Sequence, residues 1–382
     1  MRKKRKVLFF LHTMRGGGVE NVLLNIFQNL SHEKFDFTLL LIRKEGDFYS
    51  FIPKNVKIKY LALGNECFSK NKIIYIIQKI FRRIKLTILL RFPLLIRWFY
   101  IPEYYDAEIA FLADLIPYLN KIKREQTFTV GWVHGDIYAD KHDFHKKINI
   151  LKSSLRLDKI VYVSKKALEN GLIWNSDLKK NAIVIYNPID KDIIVKNAQE
   201  NIEFNYVGFT FVCVGRLGGI KGYDAMLEVH KKLIDEGVHH HIIVVGKGED
   251  EQILKSSIKR LGVEKTFHLL GHMQNPFPYL KRADAFLQNS KSEGYPLAVK
   301  EALLLGKPMV VTGVGGVPEI VINNENAIII DHNQDQLYQA MKKIIRDVDF
   351  RHELEANNQK HFQEYDTKKI YKQYENLLNV PK

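Results

Sequence analysis

The 382 residues exceed what one ordinary hydrophobic core supports and fit two domains of about 150 to 200 residues each. Two cysteines, Cys67 and Cys213, are too few for a disulfide framework and point to a reducing compartment. A net charge of +15 predicts attraction to anionic partners; nucleic acid, acidic lipid and phosphorylated substrate all qualify until the charge distribution is read.

Val7 to Leu11 reads as a first buried strand behind a basic start. The apolar run is too short for a signal peptide, and no run in the chain approaches the roughly 18 residues a bilayer span needs, so a cytoplasmic protein is expected. Met14-Arg15-Gly16-Gly17-Gly18-Val19-Glu20 then turns into a helix expected over Val19 to Leu30. Glycines in that position let backbone N–H groups approach an anion, although a plain flexible turn has the same composition. It is not a dinucleotide fingerprint, because Asn21 stands where G-x-G-x-x-G needs its last glycine.

Phe35 to Ile42 and Val56 to Leu61 are further strands. From Cys67 to Pro102 there is no acidic residue, and Ile73, Ile77, Ile80, Ile84 and Ile88 share one helix face with Lys72, Lys79, Arg82 and Arg83 opposite. Pro93 and Pro102 set off a shorter aromatic piece, Arg97 to Tyr105. This is an interfacial pattern, and it predicts that Lys72–Arg97 meets an anionic membrane surface; a helix covering the sheet with solvated arginines is the alternative. The cations are interleaved with a continuous apolar face, so no nucleic-acid partner is expected.

Asp106 to Leu112 and Thr127 to Val133 are strands, the second ending in His134-Gly135. A histidine there can exchange hydrogen bonds with a ligand near neutral pH, though a lone histidine is more often structural. Asp140, His142, Asp143 and His145 lack the spacing of a zinc site. Asp190-Lys191-Asp192 and Asp347-Val348-Asp349 read as helix-boundary acids, and His239, His240 and His241 as the polar entry to a strand. No catalytic metal is expected. Asp158 to Ser164 and Ala182 to Tyr186 complete the first sheet, and Asn187-Pro188 opens a polar link extending to Asn205.

The strand Phe209 to Val214 restarts the pattern and delivers Gly215-Arg216-Leu217-Gly218-Gly219-Ile220-Lys221-Gly222. Arg216 and Lys221 are loop cations able to meet an anion, although such pairs are usually surface charge. Ile242 to Gly248 brings Gly246 and Gly248 to a turn, and Phe267 to Gly271 follows. Between Ser292 and Glu319, Glu293 and Glu301 flank Gly294-Tyr295-Pro296-Leu297. A helix over Leu297 to Leu305 would aim free N–H groups at an anion beside Glu293. Two acids at that spacing alone more often mark a solvated helix face. Ala327 to Ile330 is a strand, and the remainder is mostly helical.

The Ser292–Glu319 string resembles the donor-site signature of GT-B glycosyltransferases of family 4 type, E-G-x-P-L-x-x-x-E-A followed by G-x-P-V-V-A-T-x-x-G-G-x-x-E. Tyr295 stands where Phe is common, and Thr312-Gly313 replaces the usual small-residue run. Gly215 to Gly222 resembles the family's G-R-x-x-x-x-K-G diphosphate clamp, and the first glycine turn resembles its G-G-x-E loop. The resemblance covers nearly all of the second domain and touches the first through shorter motifs.

It implies an α/β chain of GT-B type, with two Rossmann-like domains of parallel sheets facing across a cleft. The acceptor-binding domain would be residues 1–190, the donor-binding domain 191–360, and 361–382 a helix returning to the first. It implies retaining transfer from a nucleotide-diphosphate sugar, a UDP-sugar first among candidates, to a glycan hydroxyl. The expected acceptor is a lipid-diphosphate-linked oligosaccharide at the inner face of a bacterial membrane. In the resembled roles, Arg216, Lys221, Gly17, Gly18 and the Tyr295–Pro296–Leu297 turn take the diphosphate, while Gly246 and Gly271 border the nucleotide. Glu293 and Gly294 meet the sugar, Glu301 the ribose, and His134 the reacting centre. No cofactor is implied. A nucleotide-sugar epimerase of related fold, a GDP-sugar-dependent transferase and a non-catalytic membrane scaffold stay open as alternatives.

Overall fold

A computed structural model describes residues 3–135, 137, 144–364 and 366–381. Continuous apolar runs become parallel strands covered on both sides, and amphipathic stretches become the helices that cover them. The chain divides into one unit of Met1–Pro188 with Lys368–Lys382 and a second of Ile189–Thr367.

The first unit holds β1 (Arg5–Leu11), β2 (Phe35–Lys44), β3 (Lys57–Leu63), β4 (Ala107–Ala110), β5 (Phe128–Val133), β6 (Lys159–Tyr162) and β7 (Ala182–Val184). They form one sheet in the order β3-β2-β1-β4-β5-β6-β7. Phe9 of β1 pairs with Leu39 and Ile109 and packs edge-on against Phe27 and Phe111, while Leu8 and Phe10 enter the opposite core. From Lys368 on, the helix Thr367–Leu378 belongs to this unit. Its Tyr374 ring stacks on Trp132 at 5.4 Å and its hydroxyl donates to the Tyr186 carbonyl at 3.1 Å. Arg5 donates to the Val380 carbonyl at 2.9 Å, and Lys34 pairs with Glu375.

The acid-free segment forms the helix Lys72–Arg91, capped by Asn71, whose side chain accepts from the Ile73 and Ile74 amides. Leu89 and the half-buried Tyr75, Gln78, Arg82 and Leu86 recur at three- and four-residue spacing and face the unit. The isoleucine stripe therefore points outward, and Ile73, Ile77, Ile80, Ile84 and Ile88 are 46–71% exposed.

Two arginines depart from the expected basic face. Arg82 turns inward, donating to the Leu63 carbonyl at 3.2 Å and to Asn65 Oδ1 at 2.7 Å, with its guanidinium over the Phe68 ring. Arg97, on the short helix Leu94–Phe99, is buried and donates to both Glu108 oxygens at 2.6 and 2.7 Å and to the Ile101 and Ile122 carbonyls. The reason is that β4 places Glu108 inside the core, where burial pushes its pKa up and Arg97 opposes that rise. A membrane surface on this unit therefore excludes Arg97.

The second unit holds β8 (Thr210–Val214), β9 (His241–Val245), β10 (Phe267–Gly271), β11 (Ala285–Gln288), β12 (Met309–Thr312) and β13 (Ile328–Ile330), in the order β10-β9-β8-β11-β12-β13. The stretch expected as a polar link contains the helix Lys191–Asn197, with Asp190 as its cap. Asp347 likewise lies at a helix boundary and accepts from the Phe350 amide. His240 is buried and hydrogen-bonded to His230 at 2.8 Å, so only part of the histidine triplet is a polar entry. Asp140, His142 and Asp143 lie outside the described residues. Among the described residues, no group of three or more His, Cys, Asp or Glu is placed to hold a metal, and no helix is long and apolar enough to cross a membrane.

Removing one partner of a buried ion pair strands the other charge. Arg97→Ala is expected to lower unfolding stability by about 3–5 kcal/mol in urea titrations, against about 0.5 kcal/mol or less for the exposed Arg83→Ala.

Candidate functional site

In the second unit, loops leaving the carboxyl ends of β8, β9, β11 and β12 converge, which is where open α/β sheets bind ligands. The approach is close enough to demand glycine. Gly246 has φ 157°, and a Cβ there would lie 1.8 Å from the Gly215 carbonyl oxygen. Gly315, with φ 55°, packs in the same way against the Glu293 carbonyl. The Gly246 amide donates to the Gly271 carbonyl at 2.8 Å, which ties the β9 and β10 ends together.

The loop after β8 carries Lys221, whose ammonium donates to Glu293 Oε1 at 2.6 Å. Both side chains are largely withdrawn from water, at 21% and 12% exposure. Backbone ties hold their loops in register: the Lys291 amide donates to the Ile220 carbonyl at 2.7 Å, and the Gly316 amide to the Gly294 carbonyl at 2.9 Å. Asn289 Nδ2 adds a bond to the Gly222 carbonyl at 3.3 Å. The hydroxyl of buried Tyr223 and the Lys221 ammonium both flank Gly215. Burial, followed by the nearby Cys213 and Glu293, holds the Tyr223 pKa well above its usual range, so it stays a neutral hydroxyl.

Glu293-Gly294-Tyr295-Pro296 leads into the helix Leu297–Leu304, which has no side-chain cap, so its first-turn amides are available to a ligand. Glu301 lies one turn further on, and burial raises its pKa to about 7. Its neighbour Lys300 is also buried, and its pKa is lowered to about 8.

Arg216 stands apart from the Lys221–Glu293 pair. Its guanidinium is 75% exposed and binds Glu249 at 2.9 Å. Such solvated pairs hold weakly and exchange partners readily. In the first unit, Gly17 caps the helix Gly18–Asn29, again without a side-chain cap. His134 follows β5 with its ring 4.7 Å from that of Phe111, and burial lowers its pKa to about 3 while a backbone contact to Phe111 opposes the shift. It therefore acts as a neutral hydrogen-bonding group and not as a cation.

Motif reading did not single out Gln288, Asn289 and Ser290, three buried polar residues closing the β11 strand. Both amide atoms of Gln288, Asn289 Oδ1 and Ser290 Oγ lack partners among the described residues. The available signal was a polar run directly after the apolar Ala285-Phe286-Leu287.

Residues 196–361 match the family model for glycosyl transferases group 1. An uncharacterized glycosyltransferase of Haemophilus influenzae is 23% identical over 98% of this chain and 100% of its own. The N-acetylgalactosamine-N,N'-diacetylbacillosaminyl-diphospho-undecaprenol 4-alpha-N-acetylgalactosaminyltransferase of Campylobacter jejuni is 25% identical, over 90% of this chain and 91% of that one. Among solved structures, Anabaena Alr3699/HepE in complex with UDP and glucose superposes with a TM-score of 0.76 at 18% identity, covering 98% and 100% of the two chains. WaaG, a glycosyltransferase involved in lipopolysaccharide biosynthesis, gives 0.72 at 15% identity over 98% and 99%. The chain therefore has the GT-B fold and is a glycosyltransferase whose second unit carries a group 1 glycosyl transferase domain.

Proposed function

We propose that this glycosyltransferase moves a sugar, with retention, from a UDP-sugar to a hydroxyl of a lipid-diphosphate-linked glycan during assembly of a bacterial surface polysaccharide. The observation that carries the reading is the 2.6 Å Lys221–Glu293 contact beside the uncapped helix at Leu297. A cation, a carboxylate and a helix N-terminus without a side-chain cap in one place suit the phosphates and hydroxyls of a nucleotide sugar. Lys221 and the amides of the Tyr295–Leu297 turn take the diphosphate, and Arg216 joins them by leaving Glu249. Glu293, released from Lys221, accepts from the sugar hydroxyls, and Glu301 accepts from the ribose. From the first unit, His134 is assigned to the reacting sugar, and the amides of Gly17 and Gly18 to the phosphates.

As the C1–O bond breaks, its electron pair stays on the phosphate oxygen, and the cations and amides stabilise the growing charge. The acceptor oxygen bonds to C1 on the face the phosphate leaves, and its proton passes to a departing phosphate oxygen. Retention then needs no carboxylate nucleophile. The diphospho-undecaprenol acceptor named for the Campylobacter relative supports the acceptor class, and the UDP complex of the Anabaena structure supports the donor.

The outward stripe of the Lys72–Arg91 helix supports docking at the inner face of the cell membrane. A helix that merely covers a sheet buries its isoleucines, whereas this one packs through Tyr75, Gln78, Arg82, Leu86 and Leu89. Lys72, Lys79 and Arg83 remain exposed to meet anionic headgroups.

Lys221→Met and Glu293→Gln are each expected to slow sugar transfer by at least about 100-fold while still unfolding in one cooperative transition, at a lower temperature because each strands a largely buried partner, and the wild-type product should keep the donor's anomeric configuration by NMR. Near-normal turnover in both variants would sink the assignment. Because a protonated Glu301 accepts poorly from ribose, UDP affinity measured by calorimetry should fall as pH drops through about 7, by up to about tenfold per unit, and Glu301→Gln should flatten that profile. Flotation with phosphatidylglycerol vesicles should capture the wild type, and Ile80→Asp with Ile84→Asp should weaken capture at least about tenfold.

A further inference from the structure

The carboxyl ends of β1, β2 and β3 gather three arginines that the donor site leaves unused. β1 leads into Met14-Arg15 and β2 into Glu45; the Met14 amide donates to the Glu45 carbonyl at 2.9 Å, and the Arg43 amide to the His12 carbonyl at 3.0 Å. The Glu45 carboxylate is 2% exposed, and its Oε1 lies 2.9 Å from the Arg15 guanidinium and 3.2 Å from that of Arg43. Its Oε2 accepts from the Asn65 amide at 3.4 Å, and Asn65 Oδ1 in turn receives Arg82 at 2.7 Å. Two guanidinium groups thus meet one buried acid, and a third is linked to it through Asn65.

Positive charge outweighs negative here. Burial lowers the Arg43 pKa most, Glu45 opposes that next, and repulsion from Arg15 and then Arg82 adds to the lowering. Arg15 and Arg43 share the single oxygen Glu45 Oε1, and each guanidinium carries five N–H donors, so donors remain for a second acceptor. Their exposures, 57% and 31%, leave that acceptor a way in. Paired forks match the oxygens of phosphate or carboxylate bidentately, and a diphosphate offers enough of them for more than one fork. Arg82 also fixes what the anion is attached to: it projects from the packed side of the helix whose opposite side is the outward isoleucine stripe. Arg82 lies midway along this helix, so a ligand with its charged part on the arginines lies about one helix diameter from the apolar stripe that its lipid would follow.

We propose that Arg15, Arg43 and Arg82 hold the diphosphate linking lipid to glycan in the acceptor, with Glu45 keeping the first two in place. This rests on the lipid-linked acceptor reading given above, and the shared chemistry to be resolved is phosphate in a lipid headgroup against diphosphate in the acceptor.

The test uses the full chain and phosphatidylcholine vesicles doped either with a polyprenyl diphosphate or with charge-matched phosphatidylglycerol, read by flotation. The wild type should prefer the diphosphate vesicles and be displaced by inorganic pyrophosphate. Arg15→Gln and Arg43→Gln should each lose about tenfold on the diphosphate vesicles, with smaller losses on phosphatidylglycerol and unchanged UDP affinity. Arg43→Lys, which keeps charge but not the fork, should recover only part. Arg15→Gln, at an exposed side chain, decides the matter if Arg43→Gln does not fold. A wild type without preference overturns the acceptor reading and the cradle together. A preference that survives in both variants overturns the cradle alone, as does an equal loss on the two kinds of vesicle or a loss of UDP affinity.

Discussion

An ammonium and a carboxylate withdrawn from water are tolerated only where the backbone keeps them in contact, because each alone bears a desolvation cost of several kcal/mol. Lys221 and Glu293 satisfy that condition through two main-chain ties, Lys291 to Ile220 and Gly316 to Gly294, and one side-chain bond from Asn289 to the Gly222 carbonyl. The parallel sheet provides the condition one level down, since strands of matched register end together and release their loops on one edge. Glycine supplies the remaining level. At Gly246 and Gly315, any side chain would collide with the backbone of the adjoining loop, at Gly215 and Glu293 respectively.

How much of this was legible in the sequence follows the range of each interaction. The helix at Leu297 and the turn before it were readable because Gly294, Pro296 and the apolar run Leu297–Leu305 act within a few residues. The strands delivering Arg216 and His134 were readable for the same reason. Partners were not. Arg216 with Glu249, Arg97 with Glu108, and Arg15 with Glu45 are set by which strand ends become neighbours, and no local pattern encodes that. The Lys72–Arg91 helix shows a second limit: a period of 3.6 tells which residues share a face, but not which face is packed. Arg82 lies within the polar half by that count, yet it lies against Phe68 and the end of β3.

The net charge of +15 consequently divides into arginines with different physical fates. Arg97 is consumed in neutralising an internal acid. Arg216 is held loosely at the surface by Glu249, and Arg83 faces water. Bulk charge alone distinguishes none of these, whereas burial and partner do, which explains why a strongly basic composition is compatible with a sugar-transfer enzyme and need not signal nucleic-acid binding.

The helix Thr367–Leu378 bears on how the molecule is made. Tyr374 closes over Trp132 and Tyr186, residues translated some two hundred positions before it. During synthesis the ribosome delivers all of Ile189–Thr367 in between. The first unit is thus not fully packed until the helix Thr367–Leu378 has emerged, and until then the Trp132 face that Tyr374 covers stays open.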